Sequence, residues 1–145
     1  AGRESIESEV FLQTHYPNHS FIESIQQLPY ANLAEKILEN RRAQSLPPSG
    51  YLVVIRTDSK NPAAGETFLL NTLENARVSG NVKIIGPVPS AMPRRAGRYR
   101  HEIIIHADAR IDIRSATTEL ISIMENLPKK SSLNWFVDVD PIEIC

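Results

Sequence analysis

A chain of 145 residues with 41% apolar residues, 23% charged residues and a net charge of −1 has the composition of one soluble globular domain with its own core. No apolar run approaches the ~20 residues of a membrane-spanning helix, and the N-terminus lacks the pattern of a signal peptide, so we expect a cytoplasmic protein. The single cysteine, Cys145, excludes an intramolecular disulfide and a thiolate metal cluster.

The first third of the chain is predicted to contain one strand and two helices. Residues 9–14 (EVFLQT) have the composition of a strand. A short helix is expected to start at Ser20, which has an acid three residues later, and to end or bend at Pro29. A second amphipathic helix starts at Tyr30 and stops at the proline pair within 46–50, which is the clearest boundary in the chain.

The remaining two thirds alternate between strand and helix patterns. The predicted elements are a strand at 51–57, a helix at 62–76, strands at 81–86 and 98–107, a helix at about 112–127 and a strand at 133–139. This βαββαβ order predicts an α+β, ferredoxin-like fold, with an antiparallel four-stranded sheet and both helices on one face. Side-chain alternation places Arg98, Arg100 and Glu102 on one face of the sheet, and Tyr99 on the other. Trp135 is expected in the core.

A basic cluster lies in the predicted loop between the second and third strands and at the start of the third. Its members fall within seven residues, without an acid: Arg94, Arg95, Arg98, Tyr99 and Arg100. Guanidinium groups suit phosphates and carboxylates, and an aromatic ring offers a face for a base. The cluster therefore predicts a binding surface for polyanions, with the arginines in contact with phosphates, although a solvated hairpin is the simpler alternative. Lys129 and Lys130 would extend this surface or merely be solvated.

No metal site is predicted. Asp138 and Asp140 share one face of the last strand, but no third ligand has suitable spacing, so salt bridges that orient Arg98 or Arg100 are favoured over a metal. A pair of histidines near the N-terminus is separated by a proline, which prevents the helix that would bring both to one zinc ion.

Several stretches resemble a known family. GPVPSAMPRRAGRYR at 86–100 and LNWFVDVDPIE at 133–143 are similar to the C-terminal domain of primosomal protein N′, the PriA-type replication restart DNA helicase of bacteria. AGR at 1–3 and EVFLQTHYPNH at 9–19 resemble the end of that helicase's second motor lobe. The resemblance covers essentially the whole chain and implies a fold related to a small-subunit ribosomal protein.

The resemblance also implies a domain organisation, with a motor-lobe remnant at 1–17, a helical connector at 18–49 and the C-terminal domain at 50–145. The family's C-terminal domain is understood to engage branched DNA and to help bind the acidic tail of single-stranded DNA-binding protein, a contact that Arg98 would make. This sequence has Glu102 where glutamine is common in the family, and a glutamate would repel an acidic peptide. Forked or single-stranded DNA, that protein and the motor lobes are therefore the expected partners.

The parent that this chain resembles is an ATP-dependent 3′→5′ DNA helicase, for which ATP, magnesium and zinc are expected. Arg3 resembles the arginine that senses the γ-phosphate of the nucleotide in the intact motor. The 145 residues contain no phosphate-cradling glycine loop, acidic metal motif or paired zinc-binding cysteines. We therefore expect a non-catalytic piece of a longer enzyme, with no cofactor of its own.

Three alternatives stand beside the DNA-binding hypothesis. Ferredoxin-like sheets host many functions, so the same hairpin in a free-standing module would serve for RNA or for an acidic protein. A small hydrolase with an arginine cradling a phosphate is the third, but no nucleophile or base accompanies the arginines in the sequence.

Overall fold

The computed structural model of this chain describes residues 9–128 and 132–141. These residues form two compact units that divide between Glu39 and Asn40. None of the helices in this part of the chain is long and apolar enough to cross a membrane. The predictions that concern Arg3, Lys129 and Lys130 lie outside the described residues.

The first unit contains helix α1 (Ser20–Gln27) and most of helix α2 (Tyr30–Ala43). The residue that caps α1 is His19, whose ring nitrogen accepts a backbone N–H of the first turn at 3.2 Å. The helix ends before the following proline, as predicted. The buried Ser24 hydroxyl accepts a hydrogen bond from Lys36 Nζ at 2.9 Å and thereby connects the two helices.

Residues 9–14 form no strand, contrary to the prediction. The side chains of Val10, Phe11 and Leu12 are exposed, with Phe11 at 88%. A strand needs the hydrogen-bond ladder of a neighbour, and no strand in the described sheet pairs with this segment. In this segment, a residue composition that favours strands is therefore not enough to form one without a neighbouring strand.

The second unit confirms the predicted βαββαβ order. Its elements are β1 (Tyr51–Ser59), α3 (Pro62–Asn75), β2 (Val82–Arg95), β3 (Arg98–Ala107), α4 (Arg110–Asn126) and β4 (Leu133–Val139). The strands form one antiparallel sheet in the order β2-β3-β1-β4, which is the ferredoxin-like arrangement.

Helices α3 and α4 pack on one face of this sheet and enclose the core. Ile55 of β1 and Ile103 of β3 contribute from the sheet, while Leu69 of α3 and Leu120 of α4 contribute from the helices, all with no exposed surface. Trp135, which was expected in the core, packs against this cluster but is only partly buried. Apolar residues at alternate strand positions therefore fix which sheet face the helices cover.

Strand β2 is much longer than predicted and includes most of the expected loop. It runs to Arg95, with register shifts on either side of Val88 and Pro89. The hairpin closes through Ala96 and Gly97, which both have positive φ angles, 48° and 75°, as a tight two-residue turn requires. Prolines suggested a loop in the sequence, but β2 is an edge strand, where proline is tolerated. The arginines therefore project from paired strands next to a tight turn, and not from a loop.

Candidate anion-binding site

The sheet face opposite α3 and α4 carries a groove of about 680 Å³. We call this face the polar face, defined by Arg56, Arg98, Arg100, Glu102 and Asp138, which occupy alternate positions on β1, β3 and β4. Strand β2 contributes further side chains to the groove. The polar residues that line it are Arg56, Ser90, Arg95, Arg100, Glu102, Asp138 and Asp140.

An ion network centred on Arg56 forms one wall of this groove. Arg56 Nε lies 2.9 Å from Glu102 Oε2, and Arg56 Nη1 lies 2.9 Å from Asp138 Oδ2. Ser90 Oγ donates a hydrogen bond of 2.8 Å to the same Glu102 oxygen. The Glu102 side chain is only 5% exposed, whereas that of Asp138 is 42% exposed. One guanidinium therefore holds two carboxylates, one beneath the groove and one at its surface.

Sequence reasoning missed Arg56 and assigned Asp138 the wrong partner. Asp138 bonds to Arg56 of the neighbouring β1, and not to Arg98 or Arg100. The available signal was an arginine inside the otherwise apolar strand YLVVIRT, since charged residues are seldom buried without a partner. In the β1–β3 register of the structure, Arg56 lies directly opposite Glu102.

Asp140 directly follows β4, and no ion pair joins it to an arginine among residues 9–128 and 132–141, which contradicts its predicted role there. Its backbone adopts a positive φ of 48°. Its N–H donates to the Leu52 carbonyl at 2.8 Å, and its Oδ1 accepts the Leu52 N–H at 3.1 Å. These two bonds close the end of the β1–β4 pair, beyond the last residue pair between Val53 and Val139.

Arg98 is engaged by the protein itself. Its Nε forms an ion pair with Asp58 Oδ1, and its Nη2 donates to the Asp58 carbonyl at 2.8 Å and to the Ser132 carbonyl at 3.0 Å. The side chain is only 24% exposed. Arg98 therefore ties the turn end of the hairpin to the end of β1 and to the segment that enters β4.

Arg95 and Arg100 differ from Arg98. Both line the groove, Arg95 exposed and Arg100 half-buried, and neither has an acidic partner within ion-pair distance among residues 9–128 and 132–141. Arg94 has another environment, because its guanidinium lies 5.2 Å from the centre of the Tyr99 ring. Arg94 pairs with Tyr99 in the register, so both project from the sheet face opposite the groove.

The structure thus divides the basic cluster three ways. Arg95 and Arg100 come together at the groove, Arg94 and Tyr99 form a stacked pair on the other face, and Arg98 is a structural crosslink. Two unpaired guanidinium groups in one groove can bind a phosphate or a carboxylate with several charge-assisted hydrogen bonds.

The described residues do not provide a metal site. Within 9–128 and 132–141, no group of three or more histidine, cysteine, aspartate or glutamate side chains is placed to hold a metal ion. On the polar face, the carboxylates of Glu102 and Asp138 are already bonded to Arg56, and that of Glu102 also to Ser90. These residues therefore do not fit zinc.

The fold and the groove define a ferredoxin-like α+β domain with an arginine-lined groove on one face of its sheet. The chain belongs to the family of the primosomal protein N C-terminal domain, whose model matches residues 42–142. This match confirms the resemblance seen in the sequence.

Replication restart proteins of several bacteria are similar to this chain. The PriA protein of Haemophilus influenzae is 27% identical over 147 residues, covering 99% of this chain and 20% of the relative. The PriA protein of Synechocystis is 28% identical and covers 99% of this chain and 17% of the relative. For Bacillus subtilis the identity is 23%, over 97% of this chain and 18% of the relative. The chain therefore spans about a fifth of the length of the curated relatives it matches.

Proposed function

We propose that this chain is the DNA-binding C-terminal part of a replication restart protein, and that it contacts DNA phosphates through the polar-face groove. The observation that carries the proposal is the pair Arg95 and Arg100, which line one groove and have no acidic partner in the described part of the chain. A guanidinium presents a planar fork of donors that matches a phosphate. Membership of the primosomal family favours DNA over other polyanions.

The other members of the basic cluster have different parts in this proposal. Arg94 and Tyr99 would offer a second contact on the opposite side of the hairpin, where a stacked ring and cation suit an unpaired base. Lys129 and Lys130 would extend the basic surface. Arg98 would act indirectly, because it holds the hairpin in place. Binding through phosphates predicts little dependence on base sequence.

Fluorescence anisotropy with forked, single-stranded and duplex DNA over a salt series tests the proposal. The variant Arg95→Gln/Arg100→Gln removes both unpaired groove cations. We expect weaker binding and a log–log salt slope that is shallower by about 1.4 on single strands, since each phosphate contact contributes about 0.7. The matched control is Arg110→Gln/Arg114→Gln, which removes the same charge from exposed positions on α4. Equal losses in both variants would show a nonspecific charge effect and refute the assignment of the groove.

A second candidate ligand is the acidic tail of single-stranded DNA-binding protein. Arg98, to which the resemblance gave this contact, already bonds to Asp58 and to the Ser132 carbonyl. Glu102 is buried and bonded to Arg56. These contacts favour DNA over the tail as the ligand of this chain. A titration with a tail peptide tests this order of affinity, which tighter binding of the peptide than of forked DNA would reverse.

We further propose that the longer protein is an ATP-driven helicase that acts in the cytoplasm, where bacterial chromosomes lie. ATP, magnesium and zinc would then bind in the parts of the protein beyond these 145 residues. The exposed side chains of Val10, Phe11 and Leu12 support docking of this segment on those parts. The chain alone should hydrolyse no ATP with forked DNA present, and a measured DNA-stimulated ATPase activity would contradict this division of labour.

A further inference from the structure

We propose that Arg56 is a positioning residue for anion binding, because it neutralises two groove carboxylates that would otherwise repel DNA. This inference rests on the proposed DNA-binding function of the polar-face groove. It assigns a role to a residue that lies outside the basic cluster. This residue would not touch the ligand and would change its affinity only through the electrostatic field of the groove.

Arg56 determines whether the side chains that line the groove carry a net negative charge. Among residues 9–128 and 132–141, three arginines and three acids line it, so their formal charges sum to zero: Arg56, Arg95, Arg100, Glu102, Asp138 and Asp140. Without Arg56, the acids would outnumber the arginines by one. A groove with that balance disfavours a polyanion, whatever the geometry of its two unpaired guanidinium groups.

The geometry shows how one side chain offsets two acids. Arg56 uses different nitrogens for Glu102 and for Asp138, each at 2.9 Å. Asp138 is 42% exposed, so its charge faces the groove, whereas Glu102 is 5% exposed in a medium that screens its charge weakly. The two direct ion pairs therefore weaken the negative electrostatic potential that Glu102 and Asp138 would each produce in the groove.

Variants that remove the acids separate this role from a structural one. Glu102→Gln and Asp138→Asn each break an ion pair with Arg56. Neither substitution should therefore raise the free energy of unfolding. Each also removes one negative charge from the groove, so each should tighten DNA binding, by about threefold at low salt. Ser90 can still donate to the new amide oxygen of the glutamine at position 102. A purely structural network predicts weaker binding or no change.

The complementary variant is Arg56→Gln, which leaves two uncompensated carboxylates. We expect about tenfold weaker DNA binding at low salt, and a smaller difference as the salt concentration rises. The triple variant Arg56→Gln/Glu102→Gln/Asp138→Asn should recover an affinity within about threefold of the parent chain, because the charges are removed together. Asp108→Asn is the control, since Asp108 is an exposed acid that does not line the groove.

The assay is fluorescence anisotropy with forked DNA on the 145-residue chain, with circular dichroism and thermal unfolding of every variant. Tighter binding by both acid-removing variants, beyond the effect of Asp108→Asn, supports the inference even if Arg56→Gln does not fold. If those two variants bind no more tightly, while Arg95→Gln/Arg100→Gln loses binding, the role of Arg56 is refuted and the DNA-binding function stands. If the parent chain binds no DNA, or the double arginine variant binds normally, the proposed function fails and this inference with it.

Discussion

Arg98→Ala should destabilise the domain, although sequence reasoning placed Arg98 among the ligand-binding residues. The substitution removes the ion pair with Asp58 and the two hydrogen bonds from Nη2 to the Asp58 and Ser132 carbonyls. Each hydrogen bond contributes about 1 kcal/mol, and an ion pair at this level of exposure about 0.5 kcal/mol. We therefore expect the free energy of unfolding to fall by about 2–3 kcal/mol.

Urea unfolding followed by circular dichroism measures this change, and a thermal scan gives an independent value. For a domain of this size, 1 kcal/mol corresponds to a shift in Tm of about 4–8 °C. Arg98→Lys keeps the charge but not the fork of donors, so its loss should be intermediate. Arg100→Ala is the matched control, because Arg100 has no acidic partner in the described residues and should change stability by less than about 0.5 kcal/mol.

The two variants should also differ in DNA binding, in the opposite order. Arg100→Ala should weaken DNA binding while the domain stays folded, whereas folded Arg98→Ala should keep most of its affinity. If Arg98→Ala were as stable as the parent chain and had lost DNA binding, Arg98 would be a direct ligand contact despite its bonds to Asp58 and Ser132, and its structural role would be refuted.

Two further substitutions test how the helices pack on the sheet. Gly65→Ala would place a Cβ 2.5 Å from Thr57 Oγ1, so either α3 or the Thr57 side chain would have to move, and we expect a loss of about 1–3 kcal/mol in urea unfolding. The exposed neighbour Glu66→Ala is the control, and equal stability of the two variants would contradict the close approach of α3 to β1. Leu120→Ala removes a side chain with no exposed surface and should cost about 2–5 kcal/mol, with Leu70→Ala, 42% exposed in the parent chain, as the control for a leucine outside the core.

The order and type of elements in the second unit follow from local sequence signals. Pro62 begins α3 directly after Asn61, whose side chain accepts the Ala63 N–H at 3.0 Å, so the start of this helix was predicted to the residue. Strand β4 also matches its predicted bounds, because alternating apolar residues such as Trp135 and Val137 face the core. Both elements carry the information for their boundaries within a few residues.

The errors arise where structure depends on distant partners. Residues 9–14 have a strand composition but no neighbouring strand in the described sheet. The second half of β2 contains prolines that suggest a loop, and only its edge position opposite β3 allows it to pair. Asp138 was assigned to the wrong arginine because its actual partner lies 82 positions earlier in the chain. None of these facts is contained in the local pattern.

Alternation along a hairpin explains why a dense basic cluster need not be one binding site. Arg94 and Arg95 are consecutive, so their side chains leave opposite faces of the sheet, and each meets the residue across the ladder, Tyr99 or Arg98. Arg95 therefore faces an arginine directly, an arrangement that is unfavourable unless one of the two charges is compensated. Asp58 supplies that compensation to Arg98, whereas Arg95 has no acidic partner among residues 9–128 and 132–141. A structural arginine in this hairpin therefore stands directly beside the arginine that we propose as a DNA contact.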